Sequence, residues 1–347
     1  MKRWIAPAAF LAVLLGSGCA PYKGGGTHGG GGGGGGGTGG KLYVATANSV
    51  LRFGNALTAT GNVAPEATIT GTSTQLSSPR QILVDTSANR LLVANLGGQS
   101  ILIFSNASTA TGNAAPSAVL TSAGNMVAPV DVAVDSTKNL LYVADGQNIL
   151  VFSSQSTITG TVNTPPVRTV TFTFSIGAIL LDQTNDRMFI ADPSNNAVDI
   201  LPGASTASGS GTSLITSIAG TATTLNLPNG LALDATGKLI VSNAGSPASI
   251  AVFAASVVPS GGNVAPVATI TGATTKLAAP GQMALNSSAG SSGELYVADT
   301  SAPGVLTYLN IGAATGTVNV APARTITGSN TGLNANAVNG IALDTTR

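Results

Sequence analysis

Short apolar runs alternate with polar turns along most of the chain. Within residues 129–178, runs rich in Val, Ile, Leu and Tyr stand at VDVAVD, LLYVAD, ILVFSS and RTVTF. Gly, Asn, Asp, Pro, Ser and Thr separate these runs, which is typical of short strands and tight turns. The pattern predicts four antiparallel strands, joined by two short turns and then by one longer Thr/Gly/Pro loop.

The same unit recurs about every 50 residues. Two nearly matching passages, GNVAPEATITGTSTQLSSP at 61–79 and GNVAPVATITGATTKLAAP at 262–280, belong to the part that leads into and out of the fourth strand. Each unit also ends its first strand on one acidic or amide residue, at Asp85, Asp135, Asp182, Asp234, Asn286 and Asp344. A small four-stranded sheet buries both faces only against its neighbours, so six units predict radially stacked blades.

The two ends of the repeat region are complementary. The region begins with KLYVATA, which matches a second strand, and finishes with VNGIALDTTR, which matches a first strand. Joining them completes a blade and removes an open sheet edge. We therefore predict an all-β, six-bladed β-propeller over 41–347, with the first blade built from 41–79 and 338–347.

The repeats also carry a recognisable motif. RLLVAN, LLYVAD and ELYVAD each follow a P-x-x-apolar-x-apolar segment that ends in Asp or Asn. They resemble the NHL and YVTN-type repeats of bacterial propellers, and the resemblance covers 41–347. It implies a fold rather than an activity, and the loop before the fourth strand is longer here, with a TATGN-AP element.

A secretion leader precedes the repeats. Lys2 and Arg3 form a basic start, the apolar run WIAPAAFLAVLL follows, and GSGC ends at Cys19. The run is too short to span a bilayer as a permanent helix. It resembles a bacterial lipoprotein signal, although Gly16 stands where Leu is usual. The resemblance implies a signal peptide at 1–18 and a lipid anchor, including palmitate-type acyl chains, on Cys19.

The segment after the leader predicts an anchored, flexible arrangement. Cys19 is the only cysteine, so the chain forms no internal disulfide. Ordinary secretory cleavage after Ala20 is the alternative, but it would make Pro21 the first mature residue. Ala20 lacks the Asp associated with inner-membrane retention, so the resemblance implies the outer membrane, on its periplasmic or its surface face. The glycine-rich tract within 19–40 predicts a disordered tether, because ordering glycine costs the most backbone entropy.

Charge excludes one class of function. Charged residues make up 8% of the chain and the net charge is +1. Without Lys2 and Arg3, 12 basic residues stand against 13 acidic ones. Such a chain has no basic stripe with which to neutralise phosphates, so we expect no nucleic-acid partner.

Candidate binding residues lie where first strands begin and second strands end. In an antiparallel blade these points meet on one face, and the first strands surround the channel, so we expect a polar channel mouth there. Turn capping and hydration of the channel are the alternative roles for these side chains. The candidates are Arg80, Gln81, Asn95, Asp131, Asp145, Asp192, Asn229, Asn243, Gln282, Asp299 and Asn339. On the opposite face, we expect the aspartates that end the first strands to cap the following turns.

The sequence offers little support for catalysis. His28 is the only histidine and lies in the tether, so no Ser-His-Asp or Cys-His arrangement can form in the repeats. Gluconolactonase and paraoxonase propellers hold calcium with a Glu and several Asn or Asp residues. The two glutamates here, Glu66 and Glu294, are predicted to lie away from the channel axis. Trp4, the only tryptophan, belongs to the leader, which disfavours stacking on sugars.

We therefore expect a non-catalytic, monomeric envelope lipoprotein without a cofactor, whose propeller is an interaction platform for a protein or polymer. A calcium-dependent hydrolase of lactonase type, working at the channel, is one alternative. A surface structural or adhesive protein is another.

Overall fold

The computed structural model describes residues 39–287, 293–302, 304–333 and 338–347. The predicted signal peptide, Cys19 and nearly all of the glycine-rich tether lie outside the described residues. The described chain is all-β, and no helix in it is long and apolar enough to cross a membrane. Its helical elements are single 3-10 turns, at Thr72–Thr74, Leu96–Gly98, Gln155–Thr157, Gly211–Ser213, Thr221–Thr223, Ala273–Thr275, Ile311–Ala313 and Ser329–Thr331.

The strands form six sheets that are the blades of a propeller. Blade 1 has β27 (Gly340–Asp344), β1 (Lys41–Ala45), β2 (Val50–Gly54) and β3 (Ala67–Ile69). Blade 2 has β4 (Pro79–Asp85), β5 (Arg90–Asn95), β6 (Ser100–Ser105) and β7 (Ala118–Thr121). Blade 3 has β8 (Pro129–Asp135), β9 (Leu140–Asp145), β10 (Asn148–Ser153) and β12 (Arg168–Thr171).

The second half of the chain repeats this order. Blade 4 has β13 (Ala178–Asp182), β14 (Arg187–Asp192), β15 (Ala197–Pro202) and β17 (Thr216–Ile218). Blade 5 has β18 (Pro228–Leu233), β19 (Leu239–Asn243), β20 (Ser249–Phe253) and β21 (Ala268–Thr271). Blade 6 has β22 (Pro280–Asn286), β23 (Glu294–Asp299), β24 (Gly304–Leu309) and β26 (Arg324–Ile326).

The predicted ring closure is confirmed. Strand β27, from the end of the chain, pairs antiparallel with β1, so that Lys41 faces Asp344 and Ala45 faces Gly340. Because the last strand of the chain pairs with the first, both ends of the repeat region are held by backbone hydrogen bonds.

The predicted four antiparallel strands are present in each blade, but the prediction missed a further pairing at the outer edge. The long loop before each fourth strand runs along the outer edge of the preceding blade and pairs with it in parallel. In three blades this contact is a fifth strand, formed by β11 (Gly160–Asn163), β16 (Gly209–Ser210) and β25 (Gly316–Val318). In the other three it is a single parallel bridge, made by Gly61, Gly112 or Gly262. This loop, which contains TATGN in blades 1 and 2, therefore covers the outer edge of the preceding blade and blocks pairing with other chains there.

The core lies between blades. In the third strands, the equivalent apolar or aromatic positions are at most 2% exposed: Phe53, Phe104, Phe152, Ile200, Phe253 and Tyr308. Tyr43 of blade 1 packs in one cluster with Phe104 of blade 2, and similar clusters fill the other blade junctions. Since each sheet buries its faces on its neighbours, the innermost strands are free to line a channel.

Candidate functional site

Two cavities lie along the propeller axis. The outer one has a volume of about 240 Å³ and is lined in part by Arg80, Asn229 and Asn339. The inner one, of about 310 Å³, is lined mainly by apolar first-strand residues. Gln81 and Gln282 line both cavities, which places their amides at the boundary. The mouth therefore carries the charged side chain and the asparagine amides, and most side chains along the inner cavity are apolar.

The boundary is built by one equivalent position of the six first strands. In blades 2, 3 and 6 this position carries a polar side chain, and in blades 1, 4 and 5 it carries a small residue. The polar set is Gln81, Asp131 and Gln282, and the small set is Gly340, Ala178 and Gly230. Each polar side chain reaches into a neighbouring blade whose own residue is small.

The three polar side chains form hydrogen bonds with backbone groups of the neighbouring blades. The Gln81 amide donates to the Ile341 carbonyl at 3.3 Å and accepts from the Ile341 amide at 2.9 Å. Asp131 accepts from the Ile179 amide at 2.8 Å, and Gln282 donates to the Asn229 carbonyl at 3.1 Å. These three side chains therefore serve to fix the channel wall, and their polar atoms are largely engaged.

Close backbone approach explains the two glycines in the small set. A Cβ on Gly340 would lie 2.4 Å from the Arg80 carbonyl oxygen, and one on Gly230 would lie 2.3 Å from the Gly281 carbonyl oxygen. The Gly230 amide also donates to the Ser242 hydroxyl, which in turn donates to the Gly281 carbonyl. Side chains at either glycine would push adjacent first strands apart.

Asp131 is the buried acid of the channel. It is 2% exposed, and its two carboxylate oxygens accept from the amides of Val132 at 2.7 Å and Ile179 at 2.8 Å. Burial raises its pKa to about 7, because the two hydrogen bonds offset only part of the desolvation. No cation pairs with it in the described part of the chain.

The candidates at the ends of the second strands have a different environment. All five are buried, at 1% exposure or less: Asn95, Asp145, Asp192, Asn243 and Asp299. Four of them accept hydrogen bonds from the segment that enters the same blade; Asp145, for example, accepts from the Val127 and Ala128 amides. Asp192 differs and caps its own turn through the Asn195 amide. None of these five residues lines either cavity.

Arg80 and Asn229 are the candidates that keep free side chains at the mouth. Arg80 is exposed and Asn229 is half-buried. Asn339, beside them, donates to the Pro79 carbonyl at 3.0 Å and keeps its amide oxygen available. Among the described residues that line the outer cavity, Arg80 is the charged one. Thr300, Val130 and Ile176 also line it and were not among the candidates, because the signal used was polarity at only two strand positions.

Most of the aspartates on the opposite face are paired with basic residues. Aspartates at the ends of first strands cap the following turns, as Asp85 does for the Ala88 amide at 3.1 Å. They also pair with basic residues, as in Arg90–Asp85 at 2.7 Å and Arg187–Asp182 at 2.9 Å. Asp234 is the exception on this face and forms no ion pair, whereas at the mouth the Arg80 guanidinium is unpaired among the described residues.

The described ranges contain no group of three or more His, Cys, Asp or Glu residues that could together hold a metal ion. The two glutamates are engaged in ion pairs, Glu66 with Lys41 and Arg52, and Glu294 with Arg324. Hydrogen bonds from Lys41 and Arg52 outweigh the effect of burial and lower the pKa of Glu66. The arrangement at the mouth can donate hydrogen bonds to an anionic or polar group.

The chain matches no protein-family profile and no curated protein sequence. It is similar to a chain in the crystal structure of a nidogen/laminin complex, with a TM-score of 0.57 and 14% identity over 88% of this chain and 98% of that chain. It is also similar to a protein of unknown function from Bacteroides caccae, with a TM-score of 0.58 and 9% identity over the same shares.

The likeness shows the fold alone. At such low identity no binding residue can be transferred, and the six-bladed propeller is what these chains have in common. A propeller of this kind is compatible with an interaction platform.

Proposed function

We propose that this protein is a non-catalytic interaction module of the bacterial cell envelope, which binds a carboxylate-bearing protein or polymer at the channel mouth. The observation that carries the proposal is Arg80, an exposed and unpaired guanidinium in a cavity whose other described lining residues are uncharged. A guanidinium binds a carboxylate through two parallel hydrogen bonds, and the neighbouring Asn229 and Asn339 amides add donor and acceptor groups.

The proposed partner enters the outer cavity with one acidic group. The cavity, of about 240 Å³, has room for a side chain or a sugar carboxylate but not for a folded domain. Most of the contact area would therefore come from the loops around the mouth. Val127 and Leu227, which precede two first strands, are 53% and 48% exposed and offer apolar contact there.

We propose that Cys19 carries the lipid anchor and that the protein resides in the outer membrane. The leader motif, which resembles a bacterial lipoprotein signal that ends at Cys19, supports this proposal. The described chain enters the propeller at Lys41, opposite Asp344, whereas Ala45 and Gly340 lie at the mouth end of the same strands. Attachment on the face opposite Arg80 would leave the mouth accessible.

Site-specific photo-crosslinking in intact cells tests the binding proposal. A photoreactive residue at position 229 should capture a partner, and Arg80→Glu in the same chain should abolish the product by repelling the acidic group. The matched control carries the photoreactive residue at Ser136, on the opposite face. Capture from position 136 alone, or capture from 229 that survives Arg80→Glu, would disprove the proposed mode of binding.

Radiolabelled palmitate tests the anchor separately. The wild-type protein should incorporate the label and sediment with outer membranes, whereas Cys19→Ser should do neither. Label in the Cys19→Ser variant would show that the anchor has been assigned to the wrong residue.

A further inference from the structure

Blades 3 and 6 contain the same cross-strand column of residues. In blade 6, Tyr296 of the second strand faces Thr307 of the third strand, which faces Arg324 of the fourth. In blade 3, Tyr142 faces Val151, which faces Arg168 in the same register. The tyrosine and the arginine of each column therefore lie in equivalent places.

In blade 6 a carboxylate completes the column. Glu294, two residues before Tyr296, pairs with Arg324 Nη2 at 2.5 Å and accepts from the Tyr296 hydroxyl at 3.0 Å. Arg324 Nη2 also lies 3.2 Å from the Tyr296 hydroxyl oxygen. The three side chains form a closed network at the junction with blade 1, where the Tyr296 hydroxyl also lies 3.2 Å from the Ala56 carbonyl.

Blade 3 lacks that carboxylate. The residue equivalent to Glu294 is Leu140, since Leu140 faces Asp135 as Glu294 faces Asn286. Arg168 Nε, Arg168 Nη2 and the Tyr142 hydroxyl are buried without a hydrogen-bond partner, whereas in blade 6 only Arg324 Nε of the three equivalent atoms lacks one. Leaving three such groups unsatisfied is costly, most of all the two that belong to a cation.

The unsatisfied atoms have the geometry of an anion site. Nε and Nη2 are the two donors on one edge of a guanidinium, which is the edge that holds a carboxylate in bidentate fashion. Tyr142 is 1% exposed, and burial raises its pKa to about 12, so its hydroxyl remains a donor at neutral pH. Arg168 acts electrostatically on Tyr142, and each of the three atoms can donate a hydrogen bond to a negatively charged ligand.

The neighbouring acids form no hydrogen bond with Tyr142 or the unpaired Arg168 atoms, and Asp135 Oδ2 is itself buried without a hydrogen-bond partner. Asp135 and Asp186 lie near Tyr142 and raise its pKa electrostatically. Lys138 pairs with both, at 3.6 Å to Asp135 and 3.0 Å to Asp186, and neither acid pairs with Arg168. Arg168 is thus left with an unmatched positive charge beside the blade 3–4 junction.

We propose that a small monovalent anion, of the chemistry of chloride or a short carboxylate, binds between Arg168 and Tyr142 and replaces the missing Glu. Chloride or formate could equally supply the negative charge. The ligand would be a structural ion that stabilises the blade 3–4 junction, independent of any partner at the channel mouth.

Thermal unfolding of the full chain in detergent tests the proposal. At fixed ionic strength, replacing sulfate by chloride or formate should raise the Tm saturably by about 2 °C or more. Leu140→Glu should supply the carboxylate internally, raise the Tm in sulfate and remove the response to chloride. Chloride-35 NMR gives a direct readout, because binding broadens the chloride signal of the wild-type protein but not of Leu140→Glu.

Blade 6 provides the matched control. Glu294→Leu should recreate the blade 3 arrangement around Arg324 and add a second chloride-dependent rise in Tm. A flat chloride titration of the wild-type protein would overturn the proposal. So would stabilisation by Leu140→Glu without any chloride-35 broadening in the wild type, since water would then fill the gap.

Discussion

Replacing Asp131 with Asn should remove a pH dependence of folding near neutrality. The carboxyl group is 2% exposed and forms no ion pair within the described residues, and burial raises its pKa to about 7. The model value for the unfolded chain is 3.8. The native state therefore keeps its proton at pH values where the unfolded chain has lost it.

The sign of the effect follows from this order. A group whose pKa is raised in the folded state contributes its full stability below the unfolded pKa, and that contribution is lost as the pH rises through the folded pKa. From pH 5 to pH 7, titration of Asp131 alone should lower the free energy of unfolding of the wild type by about 2 kcal/mol. Asn cannot ionise, so the variant should lack this loss.

Urea unfolding followed by far-ultraviolet circular dichroism at pH 5, 6 and 7 measures the effect. The change in the free energy of unfolding between pH 5 and pH 7 is compared between the wild type and Asp131→Asn. Asp145 and Asp199 also have raised pKa values, but they contribute equally to both proteins and cancel in this comparison. Far-ultraviolet circular dichroism is suitable because Trp4, the only tryptophan, is in the leader.

Asp85→Asn is the matched control. Burial raises the pKa of Asp85, but hydrogen bonds from Ser87 and Arg90 outweigh it, and the net pKa is lowered. The stability that Asp85 contributes is present above its unfolded pKa and is lost only as the pH falls through its folded pKa. Asp85→Asn should therefore leave the change in the free energy of unfolding between pH 5 and pH 7 as it is in the wild type. If Asp131→Asn keeps the wild-type slope, Asp131 is not the titrating group and the reasoning fails.

Two further predictions concern the packing of the ring. Gly340→Ala should lower the free energy of unfolding by about 3 kcal/mol, because the added Cβ would lie 2.4 Å from the Arg80 carbonyl oxygen. The control is Gly112→Ala, where φ is 64° but no atom lies within 4 Å of the added Cβ. This variant should lower the free energy of unfolding by about 1 kcal/mol. Equal costs in urea unfolding would contradict the close approach. Asn263→Ala should cost about 1 kcal/mol, because its side chain accepts from the Ala222 amide of the preceding blade at 2.8 Å. A neutral effect would mean that backbone pairing alone holds the edge cover.

Much of the fold could be predicted from the repeats. The spacing of VDVAVD, LLYVAD and ILVFSS gave blade 3 its first three strands in the observed order, and the half-blades at the two ends gave the closure. Alternation of apolar and polar residues fixes which face of a strand is buried, and complementary ends fix which strands must meet. Both are local properties that a one-dimensional pattern contains.

The edge covers and the candidate site depended on contacts between blades. The GN and TVN segments repeat like any loop, but only the assembled ring brings Gly112 of blade 2 beside Ile69 of blade 1. Asp145, which ends a second strand, and Arg80, which begins a first strand, were both predicted at the channel mouth. Asp145 accepts the Val127 and Ala128 amides, whereas Arg80 is exposed and unpaired. The chain crossovers that provide those amides are absent from a strand pattern.

The sequence by itself therefore determined the blade, the number of blades and the closure, because these follow from periodic burial along one chain. Tertiary structure alone decided which polar groups are satisfied, since a hydrogen-bond partner can come from any segment that packs nearby. Leu140 and Arg168 illustrate the difference. Both are ordinary residues in the sequence, and only the register of β9, β10 and β12 reveals a half-buried arginine whose Nε and Nη2 have no acid beside them.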